Sequence, residues 1–199
     1  MIDELKQTLH DHFKLKDLGD LKYFLGMEIS RSDSGIVMNQ RKYALELIND
    51  TGLSAVRPVS TPFEQNSKLT TKEYDDLIEK QSDGRIRTID QLLDDPGKYK
   101  RLVGRLLYLT ITRPDIAYSV NHISQFMHQP KESHFQAALR IVKYVKRNPG
   151  KGLFMQKENS LEIRAYCDSD WASCILSQRS ITGYCIKLGE SIISWKSRK

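Results

Sequence analysis

Residues 98–148, KYKRLVGRLLYLTITRPDIAYSVNHISQFMHQPKESHFQAALRIVKYVKRN, decide the fold. Leu102, Leu106 and Leu109 recur at helical spacing, which predicts a helix over 98–111. It stops before Arg113-Pro114, where Pro114 suits the first turn of a second helix over 114–127. That helix carries Ile116, Val120, Ile123 and Met127 on one face, and Pro130 closes it. A third helix, 131–147, carries Phe135, Leu139, Val142 and Val145 and ends at Pro149-Gly150. Connections this short predict an antiparallel bundle.

Toward the N-terminus, Leu5, Leu9 and Phe13 form an apolar stripe on a helix over 3–15, with Asp3 as its N-cap and Gly19 beyond its end. LKYFLGMEIS (21–30) and GIVMNQ (35–40) read as two strands of a hairpin turning at Ser32-Asp33-Ser34-Gly35. A helix resumes at Gln40, with Tyr43, Leu47 and Ile48 on one face and Gly52 at its end. Pro58 and Pro62 bracket an extended segment, and a polar stretch follows as far as Pro96. From Glu64 to Asp95 there are 9 acidic and 5 basic residues, the pattern of a linker or surface insertion, with some helix near 72–80.

Beyond the bundle the period changes from helical to alternating. LEIRAYC (161–167), TGYCIKLG (182–189) and SIISW (191–195) read as three antiparallel strands, the last two joined by a tight turn at Gly189-Glu190. No helical pattern covers either face, so this sheet reads as incomplete. The fold class is therefore α+β. Its units are 1–62, a polar insertion over 63–97, the bundle over 98–150, and the sheet over 151–199.

The 199 residues carry a net charge of +6. A basic balance favours anionic partners such as nucleic acid, although a bland basic surface gives the same total. The three cysteines, Cys167, Cys174 and Cys185, form neither an even disulfide set nor a zinc spacing. We expect a reducing, cytoplasmic setting from them. No apolar run approaches a membrane span, and no signal-peptide pattern opens the sequence. Phosphate-binding glycine loops, nucleophile elbows and zinc motifs are absent from the sequence, which leaves no small-molecule substrate to expect.

Three candidate sites remain. Asp168 and Asp170 follow a strand, where alternate residues project to one side, and two carboxylates there are candidate metal ligands. Asp-Ser-Asp is equally a plain polar turn. The bundle stretch 98–151 carries 11 basic residues against Asp115 and Glu132, a net of +9. Arg140, Lys143 and Arg147 share a face at i, i+3 and i+7, which suits phosphate tracking or simple solvation. Gly26, in mid-strand, marks a bulge or a close backbone approach.

The motifs then add up to a resemblance. FKLKDLGDLKYFLGMEI, NQRKYALELINDTGL and RPVSTPF resemble the segment after the catalytic palm of copia-type reverse transcriptases. YKRLVGRLLYLTITRPDIAYSVNHISQFMHQPKESHFQAALRIVKYVK is similar to the stretch that follows in that family, and RAYCDSDWA, RSITGYCIKLG and ISWKSRK look like the opening of its ribonuclease H domain. The resemblance covers nearly the whole chain.

It implies a palm-derived helix and hairpin, a thumb-like helical bundle, and an incomplete three-stranded piece of a ribonuclease H-like sheet. It places Phe24, Leu25, Gly26 and Met27 in a primer-grip hairpin and assigns template–primer contacts to the basic bundle face. Asp168 matches the first metal-binding aspartate of ribonuclease H, with Asp170 a neighbour typical of the copia type; the parent family uses Mg²⁺. The polymerase's Tyr-Val-Asp-Asp hairpin and the nuclease's catalytic glutamate are not in this sequence. Ser173 to Gln178 departs from the family pattern, as in a decaying copy. We therefore expect a remnant that binds nucleic-acid duplexes without sequence preference and lacks catalysis by itself. Two alternatives stay open: a piece of an active RNA-directed DNA polymerase and ribonuclease H polyprotein, and a domesticated protein-interaction module.

Overall fold

The computed structural model describes residues 2–16, 18–64, 69–81, 90–157, 160–170 and 180–198. In chain order the elements are helix α1 (Ile2–His12), strands β1 (Tyr23–Phe24), β2 (Met27–Ser32) and β3 (Gly35–Asn39), and helices α2 (Arg41–Asp50), α3 (Lys72–Gln81) and α4 (Pro96–Leu109). A 3₁₀ turn (Pro114–Ile116) leads into α5 (Ala117–Ser124), then come α6 (Glu132–Arg147) and strands β4 (Leu153–Gln156), β5 (Ile163–Asp170), β6 (Ile181–Leu188) and β7 (Ser191–Arg198). No helix among the described residues is long and apolar enough to cross a membrane.

The apolar stripes meet in one core. Leu102, Leu106 and Leu109 of α4, Ile116, Val120 and Ile123, and Val142 and Val145 of α6 are all buried, joined by Ala44, Leu47 and Ile48 of α2. Each such aliphatic side chain removed from water contributes roughly 1.5–3 kcal/mol. Asp95 caps α4 by accepting a hydrogen bond from the Gly97 amide at 2.8 Å, with Pro96 in the first turn. The second helix is shorter than its pattern suggests. It starts as a 3₁₀ turn at Pro114 and ends at Ser124, leaving Met127 only partly buried.

The first helix departs further from expectation. It ends at His12, and none of its residues is buried. Leu5 and Phe13, the heart of its apolar stripe, are 60% and 61% exposed.

The N-terminal hairpin also differs. LKYFLGMEIS is not one strand: Leu25 and Gly26 form a two-residue turn between β1 and β2, with φ of 47° and 74°. Gly26 thus sits in a turn of the primed kind, which needs positive φ at both positions, and not in mid-strand. β4 pairs antiparallel with β3, so the first sheet runs β1-β2-β3-β4 and draws on residues on both sides of position 150. LFMQ is too short to show an alternation of its own, and pairing defines it.

The polar insertion is docked where it is described. Lys131 is 2% exposed, and its ammonium lies 3.1 Å from Asp90 and against Asp75. Ser133 adds two hydrogen bonds to Asp90, and the Thr70 carbonyl lies 3.1 Å from His134 Nε2. These contacts pin α3 and its flanks to the start of α6.

The second sheet runs β5-β6-β7. The expectation that no helix covers it needs correction. β7 packs against α5, and the Trp195 indole donates to the Thr110 carbonyl at 3.3 Å. The tight turn at Gly189-Glu190 is present, with Gly189 at φ 56°.

Two measurements follow from this architecture. Arg113 is 2% exposed and forks onto both Asp115 carboxylate oxygens at 2.9 Å. Burial pushes the Asp115 carboxyl up, but Arg113, Lys151 and Tyr144 outweigh it and hold its pKa down to about 2. A depressed folded-state pKa gives stability that is present above the unfolded value and lost as pH falls toward the folded one. Asp115→Asn should lose about 2–3 kcal/mol at neutral pH by urea unfolding, and the gap to wild type should close between about pH 4 and pH 2. Gly26→Ala, which forces a Cβ into positive φ, should lower stability by about 1 kcal/mol, with Gly26→Asn losing less.

Candidate nucleic-acid interface

The first candidate group lies on the β1–β2 turn. Phe24 and Leu25 project into solvent, 52% and 66% exposed, while Gly26 and Met27 are half-buried. The turn rests on α4, where the Tyr108 hydroxyl donates to the Leu25 carbonyl. A Cβ on Gly26 would lie 3.4 Å from that hydroxyl, an ordinary contact, so the positive φ of 74° and not lack of space calls for glycine here. Tyr108 is braced edge-on by Tyr43, with ring centroids 5.1 Å apart, and the Arg105 guanidinium lies over Tyr43 at 5.4 Å while pairing with Asp50 at 2.7 Å. Burial pushes the Arg105 pKa down, but bonds to Asp50 and Tyr43 prevail and raise it. Tyr108 was not visible as a site residue in the sequence. It lies beside the apolar stripe of α4, and nothing local ties it to a turn 83 residues earlier.

The second group lies on α6 and does not act as one face. Arg140 donates to the Thr61 hydroxyl at 3.2 Å and stands 4.0 Å from Glu64. The Lys143 carbonyl accepts from the Val59 amide. One turn on, the Lys146 ammonium reaches the carbonyls of Leu53, Ser54 and Val56 at 2.6–3.0 Å. Residues 53–64 therefore lie as a strap across this side of α6. Its open recess of about 350 Å³ is lined by Phe63, Leu69, Gln136, Arg140 and Lys143. Arg147, beyond the strap, is exposed. No hydrogen bond or ion pair links the 24–27 turn to Arg140, Lys143 or Arg147 among the described residues.

The third group is the carboxylate pair. Asp168 and Asp170 lie within β5, opposite Gly183 and Ile181, and not beyond the strand's end. Their i, i+2 spacing puts them on one face, both exposed. That face borders a cleft of about 250 Å³ closed on the far side by Pro114, Ala117 and Tyr118. Burial, and then the Asp170 carboxylate, raise the Tyr118 pKa. Asp168 accepts from the Ser169 amide at 2.9 Å. No group of three or more histidine, cysteine, aspartate or glutamate side chains converges among the described residues. The pair therefore supplies two oxygen ligands where Mg²⁺ takes six, an incomplete fit. Of the cysteines, Cys167 and Cys185 are free thiols, and Cys174 and the divergent stretch 173–178 lie outside the described residues.

Comparison with known proteins gives these residues a family. The family described as reverse transcriptase (RNA-dependent DNA polymerase) matches residues 1–65. An uncharacterized mitochondrial protein of Arabidopsis thaliana is 39% identical over 201 positions, covering all of this chain and 76% of that protein. The retrovirus-related Pol polyprotein from transposon RE1 of the same plant is 40% identical over 96% of this chain, and that from transposon TNT 1-94 of Nicotiana tabacum is 30% identical over all of it. The chain spans 12% and 14% of those two polyproteins. No solved structure matches. With nearly the whole chain aligned to such polyproteins and its first third to the reverse transcriptase family, the chain belongs to the Pol polyproteins of copia-type retrotransposons.

Proposed function

We propose that these residues grip nucleic-acid duplex, without sequence preference, in the manner of the template–primer contacts of a reverse transcriptase. In this reading α1 and the β1–β3 strands derive from the palm, the β1–β2 turn is the primer grip, α2 is the first thumb helix, the α4–α6 bundle is the thumb and connection, and β5–β7 begin a ribonuclease H-like sheet. The observation that carries it is the charge of the bundle: 11 basic residues against two acidic ones over 98–151. Cations displaced from a polyphosphate strand make such a surface an electrostatic grip that does not read bases.

As a free polypeptide the chain is proposed to have neither polymerase nor nuclease activity. Mg²⁺ in the parent chemistry polarises phosphoryl oxygens and activates water. Asp168 and Asp170 are the residues that would hold it here, and two carboxylates alone are too few. A second reading, in which the chain is part of an active nuclease, rests on the shared face and cleft of those same two residues. Hybrid cleavage by the purified chain, abolished by Asp168→Asn, would establish that second reading over the first.

The grip itself is tested by salt. Affinity for an RNA–DNA hybrid, followed by fluorescence anisotropy, should fall at least about tenfold between roughly 50 and 200 mM salt, with little dependence on sequence. Binding that is flat across that range, or confined to one sequence, would remove the proposal. Tyr108→Phe, which frees the Leu25 carbonyl, should weaken hybrid binding severalfold while lowering stability by only about 1 kcal/mol.

A further inference from the structure

Where α6 ends and α2 begins, the surface is cut by a notch of about 560 Å³ lined by Arg41, Arg147, Asn148, Pro149, Gly150 and Lys151. We infer that this notch is a phosphate-binding site, the point where the duplex backbone seats on the bundle. The inference rests on the duplex-binding reading above and adds a location and two residues, Arg41 and Lys151, that lie outside the expected α6 face.

Among the described residues Arg41 and Arg147 are uncommitted, whereas Lys151 is held by Asp115 and several cations nearby have partners of their own. Arg140 is engaged by Thr61 and Glu64, Lys146 by three carbonyls, and Arg105 by Asp50. Among the described residues no carboxylate pairs with Arg41 or Arg147. Two guanidinium groups and an ammonium therefore border one concavity, and a guanidinium fork matches the paired oxygens of a phosphodiester.

The notch is also built from behind. Buried Arg113 donates to the Asn148 carbonyl at 3.2 Å, and Asp115 holds the Lys151 ammonium at 3.1 Å. The Lys151 amide closes the turn onto the Asn148 carbonyl at 3.1 Å. Gly150 leaves room for Arg41, whose Cδ would lie 3.3 Å from a Cβ placed there. The amides at the start of α2 take no part, since Asn39 accepts from Arg41 N and Glu28 from Lys42 N. Side chains, and not the helix terminus, hold the anion.

The test uses the intact chain, the double variant Arg41→Gln/Arg147→Gln, and its rescue by Arg41→Lys/Arg147→Lys. Each neutralised phosphate contributes about 0.9 to the slope of log affinity against log salt. For an RNA–DNA hybrid the glutamine variant should lose close to two contacts, a slope shallower by about 1.8, and the lysine variant should restore most of it. In parallel, inorganic pyrophosphate should shift the amide resonances of Asn148, Gly150 and Lys151 in the wild type and not in the glutamine variant. Salt-sensitive hybrid binding whose slope is the same in the glutamine variant, with those resonances unmoved, overturns the notch and leaves the grip standing. No hybrid binding by wild type, with the pyrophosphate shifts present, overturns the grip and leaves an anion site of another use.

Discussion

Arg113 is the largest side chain fully withdrawn from solvent among the described residues, and its charge has to be answered inside the protein. A guanidinium in that position costs several kcal/mol in lost hydration unless a carboxylate and further acceptors meet it. Asp115, two residues on, supplies the fork, and the Tyr144 ring lies 5.8 Å from the guanidinium carbon. The Tyr144 hydroxyl and Lys151 then complete the carboxylate's partners. One pair thus fixes the corner after α4, the 3₁₀ turn, the last turn of α6 and the turn that follows it. Removing Asp115 would leave Arg113 a buried guanidinium with only the Asn148 carbonyl to bond, whereas removing Arg113 would leave the carboxylate to Lys151 and Tyr144.

The consequences run outward from that corner. Because Arg113 also holds the Asn148 carbonyl, the chain leaves α6 in one direction, and β4 reaches β3 in register from Met38 opposite Leu153 to Gly35 opposite Gln156. β4 in turn contacts β7, where the Ser191 hydroxyl accepts from the Gln156 amide at 2.8 Å. Trp195, further along β7, bonds back to Thr110 just ahead of Arg113. The cleft beside Asp168 and Asp170 is bounded by this closed circuit, so the carboxylates owe their place near Tyr118 to a helix corner far from them in sequence.

How much of this could be read from residues alone depends on the range of the interaction. The α4 and α6 stripes were legible because helical period is local: Leu102, Leu106 and Leu109 carry their burial in their spacing. The α1 stripe was equally legible as a pattern, yet Leu5 and Phe13 face solvent, since period tells which residues share a face and not what meets it. β4 was missed because four residues show too little alternation, and the Leu25-Gly26 turn because LKYFLG has the composition of a strand. Lys131 looked like one more surface cation. Only the fold brings Asp75 and Asp90 to it across 56 and 41 positions, turning part of an acidic insertion into a clasp.

The same distinction governs the candidate interface. Helical spacing groups Arg140, Lys143 and Arg147, but shared spacing says nothing about which charges already have partners. A cation held by a carboxylate within the protein must give up that contact before it can neutralise a phosphate, so its net gain on binding is small. The insertion and the strap bring Glu64, Asp75 and Asp90 onto the bundle and leave Arg147 beyond their reach. Net charge counts both kinds alike. The structure separates them: Arg140 is paired, while Arg147, at the C-terminal end of α6, and Arg41 stand without a carboxylate among the described residues.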